Sequence, residues 1–292
     1  MSTQPATHSV TIVPPVVSTG DLVRRQSLLT RITHATWAIA MFFLLLSGLQ
    51  IFNARPTLYI GDQSGFAFDN SVLSMTAENT TEGPVGYTNV LGHRFDTSGV
   101  LGMSWNGNRP VARGFPAWAT IPSYQDLATG RVVHFFFAWV LVFTLAVWLV
   151  GSLVNRHLVR DLAPRLRDIR DLPRDVATHA RFRFHRTRSY GPLQKLSYLA
   201  VLFVFLPLII LTGLSMSPTM NAAMPFLPEM FGGRQTARTL HFVAMLLLVG
   251  FFVVHMLMVV AAGPFNEIRS IVTGWYRTDP PRGPSGKDEA QA

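Results

Sequence analysis

Four long apolar windows constrain the fold of this chain more than any other feature. Each is close to the roughly 20 residues that a helix needs to cross a ~30 Å hydrocarbon core. None contains Asp, Glu, Lys or Arg, and the windows cover residues 35–52, 132–154, 196–216 and 240–262. They predict an all-α integral membrane protein, a bundle of four transmembrane helices. A charged fraction of only 14% agrees with this class.

Lysine and arginine are distributed unequally over the segments that flank these windows. The N-terminal segment, the connection between windows two and three and the C-terminal segment together hold 18 of the 25 basic residues. Because positive charge accumulates on the cytoplasmic side, both termini and the basic loop 155–191 are predicted to be cytoplasmic. The long connection 53–130, between helices one and two, is then periplasmic. This is the expected topology of a multi-pass protein in a bacterial inner membrane.

Polar tails flank the predicted membrane domain, which extends over residues 23–277. We expect the tails, 1–22 and 278–292, to be disordered cytoplasmic segments. The net charge of +9 is compatible with nucleic acid, but a basic stretch at 181–188 lies directly before a window, where anionic lipid headgroups attract it. The sequence therefore predicts membrane lipid, and no nucleic acid, as a partner.

The chain contains no cysteine. This excludes disulfides, iron–sulfur clusters held by thiolates and haem attached through a C-x-x-C-H motif. Any redox or metal chemistry must therefore depend on histidine or carboxylate side chains.

Four histidines belong to the predicted helices, where an ionisable side chain is costly and indicates a functional site. They are His34, His134, His241 and His255. The last two are 14 residues apart on one helix, which corresponds to about 21 Å along the axis and to within about 40° of one face. The direction of each helix through the membrane then puts His134 and His241 at the outer level, and His34 and His255 at the inner level.

Two bis-histidine sites stacked in a four-helix bundle match the axial ligation of two b-type haems. We therefore predict that His134 and His241 bind the outer haem iron, and that His34 and His255 bind the inner one. Zinc fits poorly, because each level offers two imidazoles and no thiolate or carboxylate. Taken singly, each histidine has a simpler interpretation as a packing or hydrogen-bonding residue.

Three of these histidines follow an arginine at a constant spacing, in the pattern R-x-x-H. The arginines are Arg31, Arg131 and Arg238. Each lies one turn from its histidine toward the nearer interface, where a guanidinium can pair with haem propionates; the alternative is an interface anchor. Gly48, 14 residues after His34, is predicted to leave room for the outer haem.

The windows and their histidines resemble a known family. With one histidine each in helices one and two and the H-x13-H pair in helix four, the chain is similar to the di-haem cytochrome b subunits of bacterial respiratory complexes. These include the nickel–iron hydrogenase, formate dehydrogenase and cytochrome b-561 types. Further stretches resemble thiosulfate reductase cytochrome b subunits: PSYQDLATGR at 122–131, LQKLSY at 193–198, TGL at 212–214, GGRQTAR at 232–238 and GPFNEIR at 263–269.

The resemblance implies an electron-transfer subunit of a respiratory oxidoreductase rather than a stand-alone enzyme. It implies electron relay between the quinone pool and a periplasmic molybdopterin-type oxidoreductase, docked on 53–130 and 218–238. The inner haem would then lie nearer the quinone, for which Gln194, Lys195 and Tyr198 are candidate contacts. Lys195 and Tyr198 have an alternative interpretation as interface anchors.

Two other functional classes stay open from the residues alone. A proton or solute transporter would use the same histidines as a relay. It would also need polar residues along the helices, which are lined mainly by Phe, Leu and Val. A purely structural membrane anchor would need none of the four histidines.

Overall fold

The computed structural model describes residues 20–81, 83–156, 158–181 and 190–280. Within these ranges, four helical segments are long and apolar enough to cross a membrane. They are α1 (Leu28–Phe52), α2 (Leu127–Val154), the third span Pro192–Ser215 and α8 (Arg234–Ala262). The four predicted transmembrane helices are thus all present. Each begins before its apolar window, which excludes a charged residue near the start of the helix: Arg31, Arg131, Lys195 or Arg238.

Side-chain caps explain where the first two spans begin. The Ser27 hydroxyl accepts a hydrogen bond of 3.1 Å from the backbone N–H of Thr30, and the Asp126 carboxylate accepts one of 3.1 Å from that of Thr129. Each bond satisfies an amide that lacks an intrahelical partner. The Thr129 hydroxyl also donates to Asp126 and holds the pKa of this carboxyl below its ordinary value.

The third span is not a uniform α-helix. It consists of α4 (Pro192–Ala200), a π-helical segment (Val201–Phe205) and α5 (Leu206–Ser215). The wide turn immediately precedes Pro207, which has no N–H to donate and whose ring clashes with the carbonyl of the preceding turn. A single π-helical turn is a common way for a helix to absorb such an interruption.

The centre of the bundle is an apolar layer to which every span contributes. Its buried residues are Ala40, Leu141, Leu206 and Leu248. Leu248 lies seven residues from both His241 and His255 along α8. The layer therefore separates the two histidine levels with side chains that exclude water.

The connection between α1 and α2 is built of β-strands, so the all-α prediction is wrong for this part of the chain. A four-stranded antiparallel sheet has the order β2-β3-β4-β5, and β6 and β7 form a separate hairpin. The strands are β2 (Thr57–Tyr59), β3 (Ser71–Thr80), β4 (Gly83–Val90), β5 (His93–Asp96), β6 (Met103–Asn106) and β7 (Arg109–Ala112). Thr, Val and Tyr favour strands here, and Leu91 and Gly92 form a tight turn with positive φ between β4 and β5.

Hydrogen bonds join this connection to the start of α8. We call the end of the bundle at which they lie the outer end. The Thr239 hydroxyl donates to the carbonyl of Tyr59 at 2.7 Å, and the Thr236 hydroxyl accepts from the backbone N–H of Gly61 at 2.7 Å. A small aromatic cluster, Phe52, Phe115 and Phe242, fills the space between the connection and the bundle. Two short helices, α6 (Pro218–Ala223) and α7 (Phe226–Met230), precede α8.

The opposite end, the inner end, gathers the first and last described segments of the chain. β1 (Leu22–Arg24) pairs antiparallel with β8 (Trp275–Arg277), directly after α9 (Pro264–Thr273). A π-helical turn (Leu158–Leu162) and α3 (Leu166–Ala180) follow α2. Most of the two predicted disordered tails and of the basic stretch lies outside the described residues, at 1–19, 281–292 and 182–188.

Candidate functional site

The outer end of the bundle brings His134 of α2 next to His241 of α8. Their ring centres are 6.3 Å apart, and the ring planes are inclined at 61°. Each histidine is seven residues from the start of its helix, so the two rings meet at one level. The outer pair inferred from membrane depth is therefore a pair in space.

The inner end brings His34 of α1 next to His255 of α8. Their ring centres are 6.4 Å apart, with an interplanar angle of 55°. The ring of Phe251 stacks on His255 at 5.8 Å, one turn earlier on the same helix. Since α8 supplies one imidazole to each pair, the two levels are separated by about 21 Å along this helix.

Both distances fit an iron ion bound between two imidazoles. A metal–nitrogen bond of about 2 Å and a distance of about 1.1 Å from nitrogen to ring centre put the two centres roughly 6.2 Å apart. The observed separations of 6.3 and 6.4 Å agree with this value. In the described part of the chain, no group of three or more His, Cys, Asp or Glu side chains could hold a metal ion. Each of the two pairs offers two imidazoles as candidate metal ligands.

Hydroxyl groups fix the orientation of both outer imidazoles. The Ser47 oxygen lies 3.1 Å from Nδ1 of His134 and donates its own proton to the carbonyl of Phe43. The Thr212 oxygen lies 3.1 Å from Nδ1 of His241 and donates to the carbonyl of Leu208. Because both hydroxyl protons are used, each oxygen can accept from Nδ1–H. At His241 the carbonyl of Ile209, 2.9 Å from Nδ1, is a second acceptor. The lone pair on each Nε2 is then free for a metal, as in other metal-binding histidines.

Two glycines make room for the same imidazoles. A Cβ atom on Gly48 would lie 3.3 Å from Cε1 of His134, and a Cβ atom on Gly213 would lie 3.3 Å from Cε1 of His241. Gly48, which we expected to accommodate the macrocycle, is thus in contact with the imidazole itself. Each outer histidine is contacted by a hydroxyl–glycine dipeptide, Ser47-Gly48 or Thr212-Gly213, of a neighbouring span.

The sequence prediction missed Ser47, Thr212 and Gly213. Ser47 and Thr212 are fully buried, although hydroxyl groups seldom are without a partner. A hydroxyl residue followed by glycine in two of the four apolar windows is the signal that could have found them.

The three arginines of the R-x-x-H pattern lie at the two ends of the bundle. Arg238 donates to the carbonyl of Arg55 at 2.5 Å, and its guanidinium lies over the ring of Phe52 at 5.6 Å. Arg131 lies over Phe135 at 5.5 Å. Arg31, at the inner end, donates to the carbonyl of Val272. Two of these guanidinium groups thus bond backbone carbonyls, and propionate pairing stays a prediction.

The three predicted quinone contacts separate into two groups at the inner end. Gln194 donates to the Tyr198 hydroxyl at 2.8 Å and accepts from Arg25 at 3.3 Å. Lys195 instead forms an ion pair of 2.8 Å with Asp168 of α3. Hydrogen bonding from the backbone of Arg165, together with Lys195, holds the pKa of Asp168 below its ordinary value.

Arg25 joins the Gln194 group to two further aromatic residues. Its guanidinium lies 4.9 Å from the ring centre of Tyr190 and 4.5 Å from that of Tyr276. The Tyr276 hydroxyl donates to Glu267 at 3.3 Å. The inner end, at which His34 and His255 also meet, therefore contains a connected set of phenol, amide and guanidinium groups.

Comparison with known proteins gives one match. A family model described as prokaryotic cytochrome b561 matches residues 25–274, which include all four spans and the strand-rich connection. No curated protein and no solved structure matches the chain.

Proposed function

The chain belongs to the prokaryotic cytochrome b561 family, and on this premise we propose that it relays electrons through two b-type haems, one at each histidine pair. The observation that carries the proposal is the spacing of 6.3 and 6.4 Å between the paired imidazoles. A bis-histidine haem supplies one-electron chemistry, because its iron alternates between two oxidation states.

The protein's part in this function is to ligate, orient and insulate. In our proposal His134 and His241 would hold the outer iron through Nε2, while their Nδ1–H groups face Ser47 and, for His241, Thr212 and the Ile209 carbonyl. His34 and His255 would hold the inner iron. The apolar layer between the two levels keeps water out of the electron path, which protects it from side reactions.

We propose that quinone binds at the inner end, near Gln194 and Tyr198. The amide, the phenol and the nearby Arg25 offer donors to a quinone carbonyl, and Tyr190 offers an aromatic face. Lys195 forms an ion pair with Asp168 of α3, and its contact with the quinone stays a prediction. Substitution of Tyr198 by Phe should slow haem reduction by a quinol, while reduction by dithionite stays unchanged.

The proposed partner at the outer end is a periplasmic oxidoreductase of the molybdopterin type. The strand-rich connection presents large exposed side chains, among them Phe66 at 84% and Trp118 at 80% exposure. Exposed aromatic residues of this kind are typical of protein interfaces. Co-purification of a molybdenum-containing subunit with the protein in mild detergent would support this assignment, and loss of that subunit on substitution of Trp118 would locate it.

The test of the haem proposal is a reduced-minus-oxidised spectrum with the haem counted per polypeptide. We expect two haems in the unmodified protein, and one in either His241→Ala or His255→Ala, with different spectra in the two variants. His93→Ala, in the exposed strand β5, is the matched control and should retain both. Absence of a bis-histidine spectrum, or two haems in both ligand variants, contradicts the proposal. Proton or solute flux through the haem-free protein in liposomes would favour a transporter instead. If electron flow to the partner were undiminished after replacement of all four histidines, a structural anchor would be favoured.

A further inference from the structure

At the outer end lies a buried arginine that has no carboxylate partner among the described residues. Arg113, in the connection just after β7, is 5% exposed. Its guanidinium donates to the carbonyls of Phe115 at 2.6 Å and Ser123 at 2.9 Å. It also donates to the Thr120 hydroxyl at 2.9 Å and to the Gln50 side-chain oxygen at 3.4 Å. All these acceptors are neutral.

The charge of Arg113 is therefore retained but not compensated. Burial lowers the pKa of its guanidinium, yet an arginine stays protonated at any physiological pH. Ion pairs between the described residues involve Glu78, Asp168, Asp171 and Asp175, and none of them reaches Arg113. A buried cation without a counter-charge is costly to maintain, and its field extends further than that of a paired one.

Arg113 lies close to the outer histidine pair. Its acceptor Gln50 is 2% exposed and follows Ser47, the partner of His134, by three residues on α1. A Cβ atom on Gly130, one turn before His134 on α2, would contact the Gln50 side chain at 3.0 Å. Gln50 thus lies one helical turn outward from the Ser47–His134 contact, which puts the guanidinium on the order of 10 Å from the outer site.

We propose that the charge of Arg113 raises the reduction potential of the outer haem. This inference rests on the proposed haem function. Reduction adds one electron and no proton at the iron, so the nearby positive charge stabilises the reduced form relative to the oxidised one. With a separation of about 10 Å and an effective dielectric constant of about 20, Coulomb's law gives roughly a tenfold change in the reduction equilibrium, or about 59 mV for a one-electron couple.

The experiment is a spectroelectrochemical titration of the full-length protein, repeated in a His255→Ala background so that the outer haem is observed alone. Arg113→Met, which removes the charge, should lower the outer midpoint by an amount equivalent to about a tenfold change in equilibrium. Arg113→Lys keeps the charge, so the midpoint potential of its outer haem should stay near that of the unmodified protein. Thr120→Val removes one hydrogen bond of Arg113 but no charge, and should also leave this potential unchanged.

These variants separate an electrostatic role from a structural one. Equal shifts in Arg113→Met and Arg113→Lys, or a comparable shift in Thr120→Val, would indicate that loosening of the connection is responsible and would overturn the inference. If Arg113→Met does not assemble, Arg113→Gln replaces it, since an amide can still donate to the surrounding carbonyls. If Arg113→Met shows an intact two-haem spectrum and an unshifted potential of the outer haem, only this inference is refuted. Absence of haem from the unmodified protein refutes the proposed function.

Discussion

Substitution of Gly213 by valine should remove the outer haem and leave the inner one. A Cβ atom at this position would lie 3.3 Å from Cε1 and 3.6 Å from Nδ1 of His241, already at the short limit of van der Waals contact. The methyl groups of valine extend about 1.5 Å further, so the imidazole must move by on the order of 1 Å. Overpacking of this kind costs about 1–3 kcal/mol, which corresponds to a roughly 5- to 150-fold loss of outer haem affinity.

The assay is the haem content per polypeptide after purification, with the midpoint potentials of whatever haem is retained. Gly250→Val is the matched control. It puts the same side chain into α8, nine residues after His241 and so on the opposite helix face, where a Cβ atom meets nothing within 4 Å. We expect about one haem in Gly213→Val and two in Gly250→Val. Full retention of both haems with unchanged potentials in Gly213→Val would refute the role assigned to this glycine.

Three further outcomes follow from the contacts. Ser47→Ala removes the hydroxyl that faces Nδ1 of His134 and should weaken outer haem retention by about 10- to 100-fold in a competition assay with apomyoglobin. Thr212→Val should have a smaller effect, because the Ile209 carbonyl at 2.9 Å still accepts from Nδ1 of His241; unchanged retention in Ser47→Ala contradicts this. The inner haem should be lost first during gradual haem depletion, because buried groups hold Nδ1 of both outer rings, whereas the described residues give no hydrogen bond to His34 or His255; spectra of the remaining haem show the order. Because the pKa of Asp168 is lowered in the folded state, its stabilising contact with Lys195 is present above the ordinary carboxyl pKa of about 4 and is lost as the pH falls below it. Hydrogen exchange of α3, corrected for intrinsic rates, should therefore increase below about pH 4 in the unmodified protein and be high throughout in Asp168→Asn.

The spans and the partner of each histidine could be predicted because, in a membrane, both follow from positions along single helices. An uncharged apolar window of about 20 residues has few alternatives to a spanning helix. Once the direction of each helix is known, the depth of a histidine follows from its position in the helix. This reasoning sufficed to associate His134 with His241 and His34 with His255, and the structure brings these rings within 6.4 Å of each other.

The strand-rich connection could not be predicted in the same way. β3 and β4 pair over eight residues, from Leu73 with Val90 to Thr80 with Gly83. Such pairing depends on contacts between strands rather than on a periodic pattern within one of them, and β-propensity depends strongly on context. Glycine, proline and asparagine throughout 53–130 also weaken the strand signal. The burial of Arg113 is a tertiary property for the same reason, because it joins acceptors of its own loop to Gln50 of α1, 63 residues away.

The third span, which carries no histidine, has a definite part in the site. α8 supplies an imidazole at each level, and α1 supplies His34 at the inner level and the Ser47-Gly48 contact at the outer one. At the outer level Ser47 of α1 contacts Nδ1 of His134. Nδ1 of His241 is contacted instead from α5, by the Thr212 hydroxyl and the Ile209 carbonyl, and Gly213 leaves room for its ring. Because each outer ring is held by a hydroxyl and a glycine of an adjacent span, the outer site needs four helices although its ligands come from two, and changes in the third span should affect the outer haem before the inner one.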